Sequence, residues 1–569
     1  MTDLAVTKPW LKEYPASIPA EIDISAYANL AEMIEKSLTQ YADRVAFHCS
    51  GTDITYRELD KLSAAFAVHL GQHGFKKGDR FALMMPNILQ YPIALMGCLR
   101  LGLTVVNCNP LYTPRELEHQ LKDSGAKGIL VIENFANVLV EVIDKTDVMH
   151  VVVTGLGDRL SWWKGPGLNF LVRHVAKLVP EFKLASAIRF NAALSEGASG
   201  ALKREVIGLD DVAFLQYTGG TTGVSKGAVL THRNIVANVL QSRAWLFGFQ
   251  QDDRAECIVA ALPLYHIFAL TACTFVYVTT GAKVVLITNP RDVPAFVRTL
   301  AEHKFTVLPG VNTLFTALMN HEDFSKLDFS TLRYGLGGGM AVQRATAEEW
   351  HRVTGTPLIE AYGLTETSPG ATINPIGDSG YNASIGLPIS STEVRLRLDD
   401  GTWVALDDHE TPGEICVRGP QVMQGYYNRP DETAKVLDTH GWLSTGDVGK
   451  MDSRGFFYIV DRKKDMILVS GFNVYPNEIE GVVAMHSGVL EVAAIGVPDS
   501  KSGEVVKIFV VRKDASLTSL QVMAHCRENL TGYKLPKYIE FRNELPKTNV
   551  GKILRRELRD EEKRRKEAA

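Results

Sequence analysis

Val212-Ala213-Phe214-Leu215-Gln216-Tyr217-Thr218-Gly219-Gly220-Thr221-Thr222-Gly223-Val224-Ser225-Lys226-Gly227 is the stretch that decides how the chain is read. Its apolar opening reads as a strand, and the strand runs into hydroxyls and closely spaced glycines that end on one lysine. Glycine lets the backbone approach a ligand and turn successive N–H groups toward it, the hydroxyls add donors, and Lys226 adds a point charge. Such a loop wraps oligophosphate. It departs from the G-x-x-x-x-G-K-[ST] spacing of ordinary P-loop NTPases, because no glycine immediately precedes Lys226 and Gly227 follows it. A flexible Gly/Ser/Thr linker is the plain alternative, but it explains neither the strand before nor the lysine after.

Working outward, 569 residues exceed what one hydrophobic core usually serves, so two or more domains are expected. A formal charge of −4 from 61 basic and 65 acidic residues argues against nucleic acid as an obligatory partner and favours small molecules. The seven cysteines are scattered and lack C-x-x-C spacing, which favours reduced, buried thiols in a cytosolic protein and no zinc site. The start, Met1-Thr2-Asp3-Leu4, has neither a basic nor an apolar signal region, so the protein is expected to stay inside the cell. The uncharged run from Cys257 to Ala282 is long enough to resemble a membrane span, yet Pro263 and Gly281 break its rhythm. A buried strand and helix explain it better.

Along the chain, Leu30, Ile34 and Leu38 mark a helix face and Val45-Ala46-Phe47 a strand. Thr55-Tyr56-Arg57-Glu58 is a capping-box match opening a second helix, and Thr113-Pro114-Arg115-Glu116 opens another after strands at Phe81–Met84 and Thr104–Val106. Alternating strands and helices predict a largely parallel α/β sheet. Gly155 to Gly208 interrupts the rhythm with Trp162-Trp163, basic residues Arg159, Lys164, Arg173, Lys177 and Lys183, and an amphipathic middle from Phe170 to Val179. Two readings stand for it: a segment lying on an anionic membrane surface, or an insertion packed on its own domain. Tyr334 to Met340 and Ile359 to Thr367 each read as a strand ending in a ligand-type loop. Leu387 to Tyr458 reads as a small antiparallel β unit, and Arg555 to Lys566 as a solvated helix of mixed charge.

Five motifs in order then carry a family resemblance: Tyr217–Gly223, Tyr362-Gly363-Leu364-Thr365-Glu366, Ser444-Thr445-Gly446-Asp447, Asp461–Ile467 with Ser470-Gly471-Phe472-Asn473, and Pro546–Lys552. With these the chain resembles the acyl-adenylate-forming (AMP-binding) superfamily and, within it, bacterial long-chain fatty-acid–CoA ligases. The resemblance covers essentially the whole chain, including Leu262–Phe268. It implies an α/β fold: a large N-terminal domain of parallel α/β sheets plus a small β unit (1–461, with insertion 155–208), a hinge (462–465) and a smaller mobile α+β C-terminal domain (466–569).

The resemblance implies two half-reactions, in which ATP and an acid give an acyl-adenylate and pyrophosphate, and the CoA thiol then gives acyl-CoA and AMP. Thr218, Gly219, Gly220, Thr221, Thr222, Gly223 and Lys226 would hold the β- and γ-phosphates, Thr365 the α-phosphate, and Glu366 with Thr218 the Mg²⁺. Asp447 and Arg462 would meet the ribose, Tyr362 with Gly338 and Gly339 the adenine, and Lys552 would bridge carboxylate and α-phosphate. His266 falls near the acid carboxylate by analogy, a core histidine being the other reading. Lys464 takes the hinge position, an ordinary charged turn or a CoA-phosphate contact being the alternatives, and Ser470 and Gly471 are candidates for CoA binding. Where some relatives gate an acyl tunnel with tryptophan, this chain has Leu270.

An amino-acid substrate would need a buried carboxylate for its ammonium, and Cys257 to Ala282 offers none, so an apolar acid fits better. The expected substrate is a long-chain fatty acid, activated for β-oxidation or lipid synthesis, with a medium-chain or aromatic acid as the alternative. No carrier domain follows the last lysine motif, which argues against an assembly-line module. A cytoplasmic enzyme associated peripherally with the inner membrane, and possible as a homodimer, is the overall expectation.

Overall fold

The computed structural model describes residues 8–218, 225–247, 255–377, 380–470, 472–499, 501–548 and 551–567. Helix starts follow the local chemistry read from the sequence. Thr55 accepts the Glu58 amide while the Glu58 carboxylate accepts the Thr55 amide, and Thr113 and Glu116 repeat this around Pro114. Each box satisfies two amides that a helix start leaves without partners.

Among the described residues the strands fall into four sheets. The first runs, edge to edge, through Ile188–Arg189, His150–Thr154, Gly128–Ile132, Arg80–Met84, Thr104–Cys108, Val212–Thr218 and Lys226–Thr231. Its strands are parallel except for the last pair, where Thr218 lies opposite Lys226 in an antiparallel register. The two strands that flank the phosphate-loop sequence therefore pair antiparallel at a sheet edge. The second sheet has a parallel centre of Leu358–Gly363, Tyr334–Gly337, Val307–Gly310, Cys257–Ala260, Lys283–Leu286 and Val45–Cys49. Antiparallel strands close both of its edges.

The uncharged run from Cys257 divides into strand Cys257–Ala260 and the helical turns Ala269–Phe275 and Val276–Val278, which are buried throughout. No helix among the described residues is long and apolar enough to cross a membrane.

Three segments differ from their sequence reading. In 155–208 the helix covers Lys164–Phe170, widens into a π turn at Leu171–Val175 and stops there. The later part belongs to the core: Ile188–Arg189 joins the first sheet, and helix Phe190–Gly197 packs on helix Tyr56–Gln72. That approach is so close that a Cβ on Gly197 would lie 1.9 Å from the Ala65 carbonyl oxygen. Leu387–Pro388 extends the second sheet, so the four-stranded antiparallel sheet begins only at Glu393 and runs to Arg462.

The third difference is the terminal helix Arg555–Glu567, which is solvated on one side only, since Leu558 is fully buried. The sheet beside it is built on the hairpin Val489–Asp499 and Gly503–Arg512, with Tyr538–Arg542 parallel to the second strand. On its inner face Arg555 reaches Glu480 at 2.6 Å, Asp465 at 3.4 Å and Asp461 at 3.5 Å, and Arg559 reaches Asp465 at 2.8 Å. Burial lifts the Asp461 carboxyl to about 6 against the pull of Arg555. For Asp465 the two arginines outweigh burial and hold it low.

Candidate active site

The ends of three sheets meet where the sequence motifs point. Tyr362, at the end of a strand of the second sheet, donates its hydroxyl to Asp447 Oδ2 at 2.8 Å. The other oxygen, Oδ1, lies 3.2 Å from Arg462 Nε, and Asp447 and Arg462 face each other across neighbouring strands of the four-stranded sheet. A carboxylate oxygen keeps a second lone pair after one such bond, so Asp447 can still accept from ligand hydroxyls.

Beside this cluster, strand Tyr334–Gly337 runs into the glycine turn. A Cβ on Gly338 would come within 3.0 Å of the Phe268 ring, and Gly339 has φ +76°, so larger residues fit neither place. The strand ending at Gly363 leads into a short 3-10 turn, Thr365–Thr367. The Thr365 hydroxyl engages no protein group among the described residues, whereas Glu366 Oε1 accepts the Tyr426 hydroxyl at 2.7 Å. Oε2 of Glu366 accepts no hydrogen bond from the described residues. A free carboxylate oxygen of this kind fits a hard cation such as Mg²⁺.

Sequence reasoning missed Tyr426, and the structure shows how it is placed. Ala228, next to the phosphate-loop strand's start, pairs with Tyr426 in an isolated β-bridge, and the Met423 amide donates to the Glu366 carbonyl. Lys226 stands 4.7 Å above the Tyr426 ring and pairs with Glu432 at 2.7 Å. Hydrogen bonds from Lys226 and Lys435 pull the Glu432 carboxyl down to about 2. On the strand before Thr218, Tyr217 donates to Asp123 at 2.8 Å, and Arg429 holds the other oxygen of Asp123 at 2.6 Å. These partners lie far apart in sequence, and only the folded sheet edge unites them.

Lys552 comes from the C-terminal part. Its amide donates to Thr548 Oγ1 at 3.1 Å, and the preceding carbonyl, of Gly551, accepts the Thr313 hydroxyl at 3.0 Å, which ties this turn to the large domain. Lys552 has no ion-pair partner among the described residues. Burial and the Arg462 charge pull its ammonium down to about 7. Burial and the nearby Lys552 charge hold His266 at about 4, so its ring is neutral, and its Nδ1 accepts the Phe268 amide at 3.4 Å. The remaining candidates are less joined. Ser470 is exposed, between Ile467–Val469 and Phe472–Val474, and among the described residues its amide donates to the Ser502 carbonyl. Gly219, Gly220, Thr221, Thr222, Gly223 and Gly471 lie outside the described residues.

The family model described as AMP-binding enzyme matches residues 34–427, and that described as AMP-binding enzyme C-terminal domain matches 478–552. The chain belongs to the AMP-binding enzyme family. It is 58% identical over 556 residues to a long-chain-fatty-acid–CoA ligase of Yersinia pestis, with 98% of each chain covered. Among solved structures, ATP-bound MatB from Rhodopseudomonas palustris matches with a TM-score of 0.79 and 28% identity over 94% of this chain and 98% of that one. An anthranilate CoA ligase, AuaEII, in complex with anthranoyl-AMP shares the fold at TM-score 0.83 and 24% identity, covering 95% and 98%.

One buried carboxyl near the site gives a pH test. Burial pushes Glu360, two residues before Tyr362, up to about 8, although the Val342 amide donates to it at 3.2 Å. Its folded pKa lies above its unfolded value, so its stabilising contribution is present below about 4.5 and is lost as pH rises through about 8. Glu360→Gln should therefore match the wild type near pH 4 and become the more stable protein by pH 9. Paired thermal melts across this range check it, and parallel curves would contradict it.

Proposed function

We infer that the chain is an AMP-forming long-chain fatty-acid–CoA ligase. The single observation that carries the chemistry is Lys552: a half-buried cation with no carboxylate partner among the described residues, set near Arg462 and Lys464, whose charges also act on it. A group so placed is poised for an anion. Both reactants of the first half-reaction are anions, so bringing a carboxylate to the α-phosphate needs aligned positive charge and donors. Lys226 and Thr218 with the intervening loop take the outer phosphates, and Thr365 meets the α-phosphate. Glu366 would hold Mg²⁺, which supplies neutralising charge to the phosphates when bound. Asp447, fixed by Tyr362 and Arg462, orients the ribose, and the glycine turn admits the adenine. Because its Nδ1 accepts a backbone amide, the His266 proton resides on Nε2, where it donates toward the acid carboxylate.

The acid is long and apolar. The identity to the Yersinia pestis ligase and the absence of Asp and Glu from 257–282 both support this. Initial rates with ATP, CoA and a series of straight-chain acids should rise by up to about fourfold per buried CH₂, the rate equivalent of ~0.8 kcal/mol each. An optimum at medium-chain or aromatic acids would instead favour the alternative substrate class.

Between the half-reactions pyrophosphate leaves and a thiol enters, and we place the pivot at Lys464. Lys463 is held by the large domain, its amide donating to the Gly446 carbonyl and its ammonium 2.6 Å from Asp399. Asp465 is held by Arg555 and Arg559 of the terminal helix. Lys464 lies between them, exposed and without an ion pair among the described residues. Lys552→Ala should slow adenylate formation by about 10²–10³, the scale of one lost preorganised donor, while thioester formation from supplied acyl-adenylate survives. Lys464→Pro should lose one half-reaction and keep the other, since proline fixes φ. Separate assays of the two steps decide: equal loss in Lys552→Ala, or both steps intact in Lys464→Pro, removes the corresponding role.

The segment 155–208 supports contact with an anionic membrane face. Trp162 and Trp163 are 88% and 61% exposed, and Phe170, Leu171, Val175 and Leu178 are exposed beside Lys164 and Lys177. An apolar patch of this size with a basic rim suits a lipid interface. Cosedimentation with anionic vesicles should fall as salt rises and when both tryptophans become serine. Binding indifferent to both changes would remove the contact.

A further inference from the structure

Away from the nucleotide site, three histidines converge from two elements. His69 lies in the last turn of helix Tyr56–Gln72, His73 caps that helix one turn on, and His150 opens strand His150–Thr154. One nitrogen of each ring lies within 4.8 Å of those of the others. The ring centroids stand 4.2, 4.6 and 5.1 Å apart.

The hydrogen bonds fix which nitrogens are free. His69 Nδ1 donates to Glu196 Oε2 at 2.8 Å, which leaves a lone pair on Nε2. His73 Nδ1 donates to the His69 carbonyl at 2.9 Å, which leaves a lone pair on Nε2, 3.9 Å from Glu196 Oε1. His150 Nε2 stands 3.0 Å from His69 Nε2. Zinc takes imidazole nitrogens at about 2.0–2.1 Å, which sets tetrahedral neighbours roughly 3.3 Å apart. A carboxylate on the far nitrogen of a ligating histidine is the usual outer partner of such a site.

We propose that His69, His73 and His150, with Glu196 orienting His69, form a binding site for Zn²⁺ or a similar late first-row divalent cation. The cysteine pattern excludes thiolate zinc and says nothing about imidazole; the sequence signal is a His-x-x-x-His pair on a helix. The place indicates a structural role. His150 stands at the N-terminal end of its strand, whereas Thr218 lies at the C-terminal end of a strand parallel to it in the same sheet. An ion here would staple helices Tyr56–Gln72 and Phe190–Gly197 to the sheet without touching substrate.

The competing reading is a stack of neutral rings held by a His150-to-His69 hydrogen bond. The experiment titrates Zn²⁺ into untagged, chelator-stripped full-length protein by calorimetry, with thermal melts and ligase rates in parallel. The wild type should bind about one equivalent and melt higher with zinc, at an unchanged rate. Glu196→Gln should weaken binding by about 10–100-fold, the range for loss of an outer partner. His73→Ala, at an exposed helix end that tolerates the change, should weaken it further and abolish the melting shift. A Glu366→Gln control identifies zinc held at the nucleotide site. No uptake, uptake equal in His73→Ala and wild type, or uptake lost only in Glu366→Gln would each overturn the proposal.

Discussion

The guanidinium of Arg555 governs how the smaller part of the molecule sits. It is almost withdrawn from water, and Asp461, Asp465 and Glu480 converge on it. Removing one partner from such a group leaves uncompensated buried charge, at a cost on the order of 3–5 kcal/mol. The consequence is positional. Lys552 lies three residues before Arg555, so the bonds that fix Arg555 against the 461–465 turn also fix the approach of Lys552 to Asp447 and Arg462. Those carboxylates are committed to Arg555, and none of them forms an ion pair with Lys552.

The large domain answers with the same economy of pairing. Asp447 is divided between Tyr362 and Arg462, and Glu366 between Tyr426 and an open oxygen. Each carboxylate is half satisfied by protein, which fixes its rotamer, and half available to ligand. Partial satisfaction of this kind is stable in a cleft that water reaches and would be costly in a closed core.

Local rules carried most of the fold. The capping boxes at Thr55 and Thr113, the strand before Thr218 and the glycine turns at 337–339 are each determined by residues within a few positions, and they stand where the sequence puts them. Partners distant in sequence were not legible. Tyr426 and Glu432 reach the site through a bridge to Ala228, and Arg555 looked like one more charge in a mixed tail because its three acids lie 75 to 94 residues away. The segment 155–208 misled for a related reason: its short strand Ile188–Arg189 has too few residues to show a period, and only pairing with His150–Thr154 reveals it.

The salt bridge between Lys226 and Glu432 sets a protein anion on the lysine that the proposed function assigns to phosphate. The lysine is held on a partly exposed carboxylate and above the Tyr426 ring. A polyanion with several charges displaces a single carboxylate readily. Any anion that takes Lys226 must first displace Glu432, so the fold carries its own competitor for this lysine.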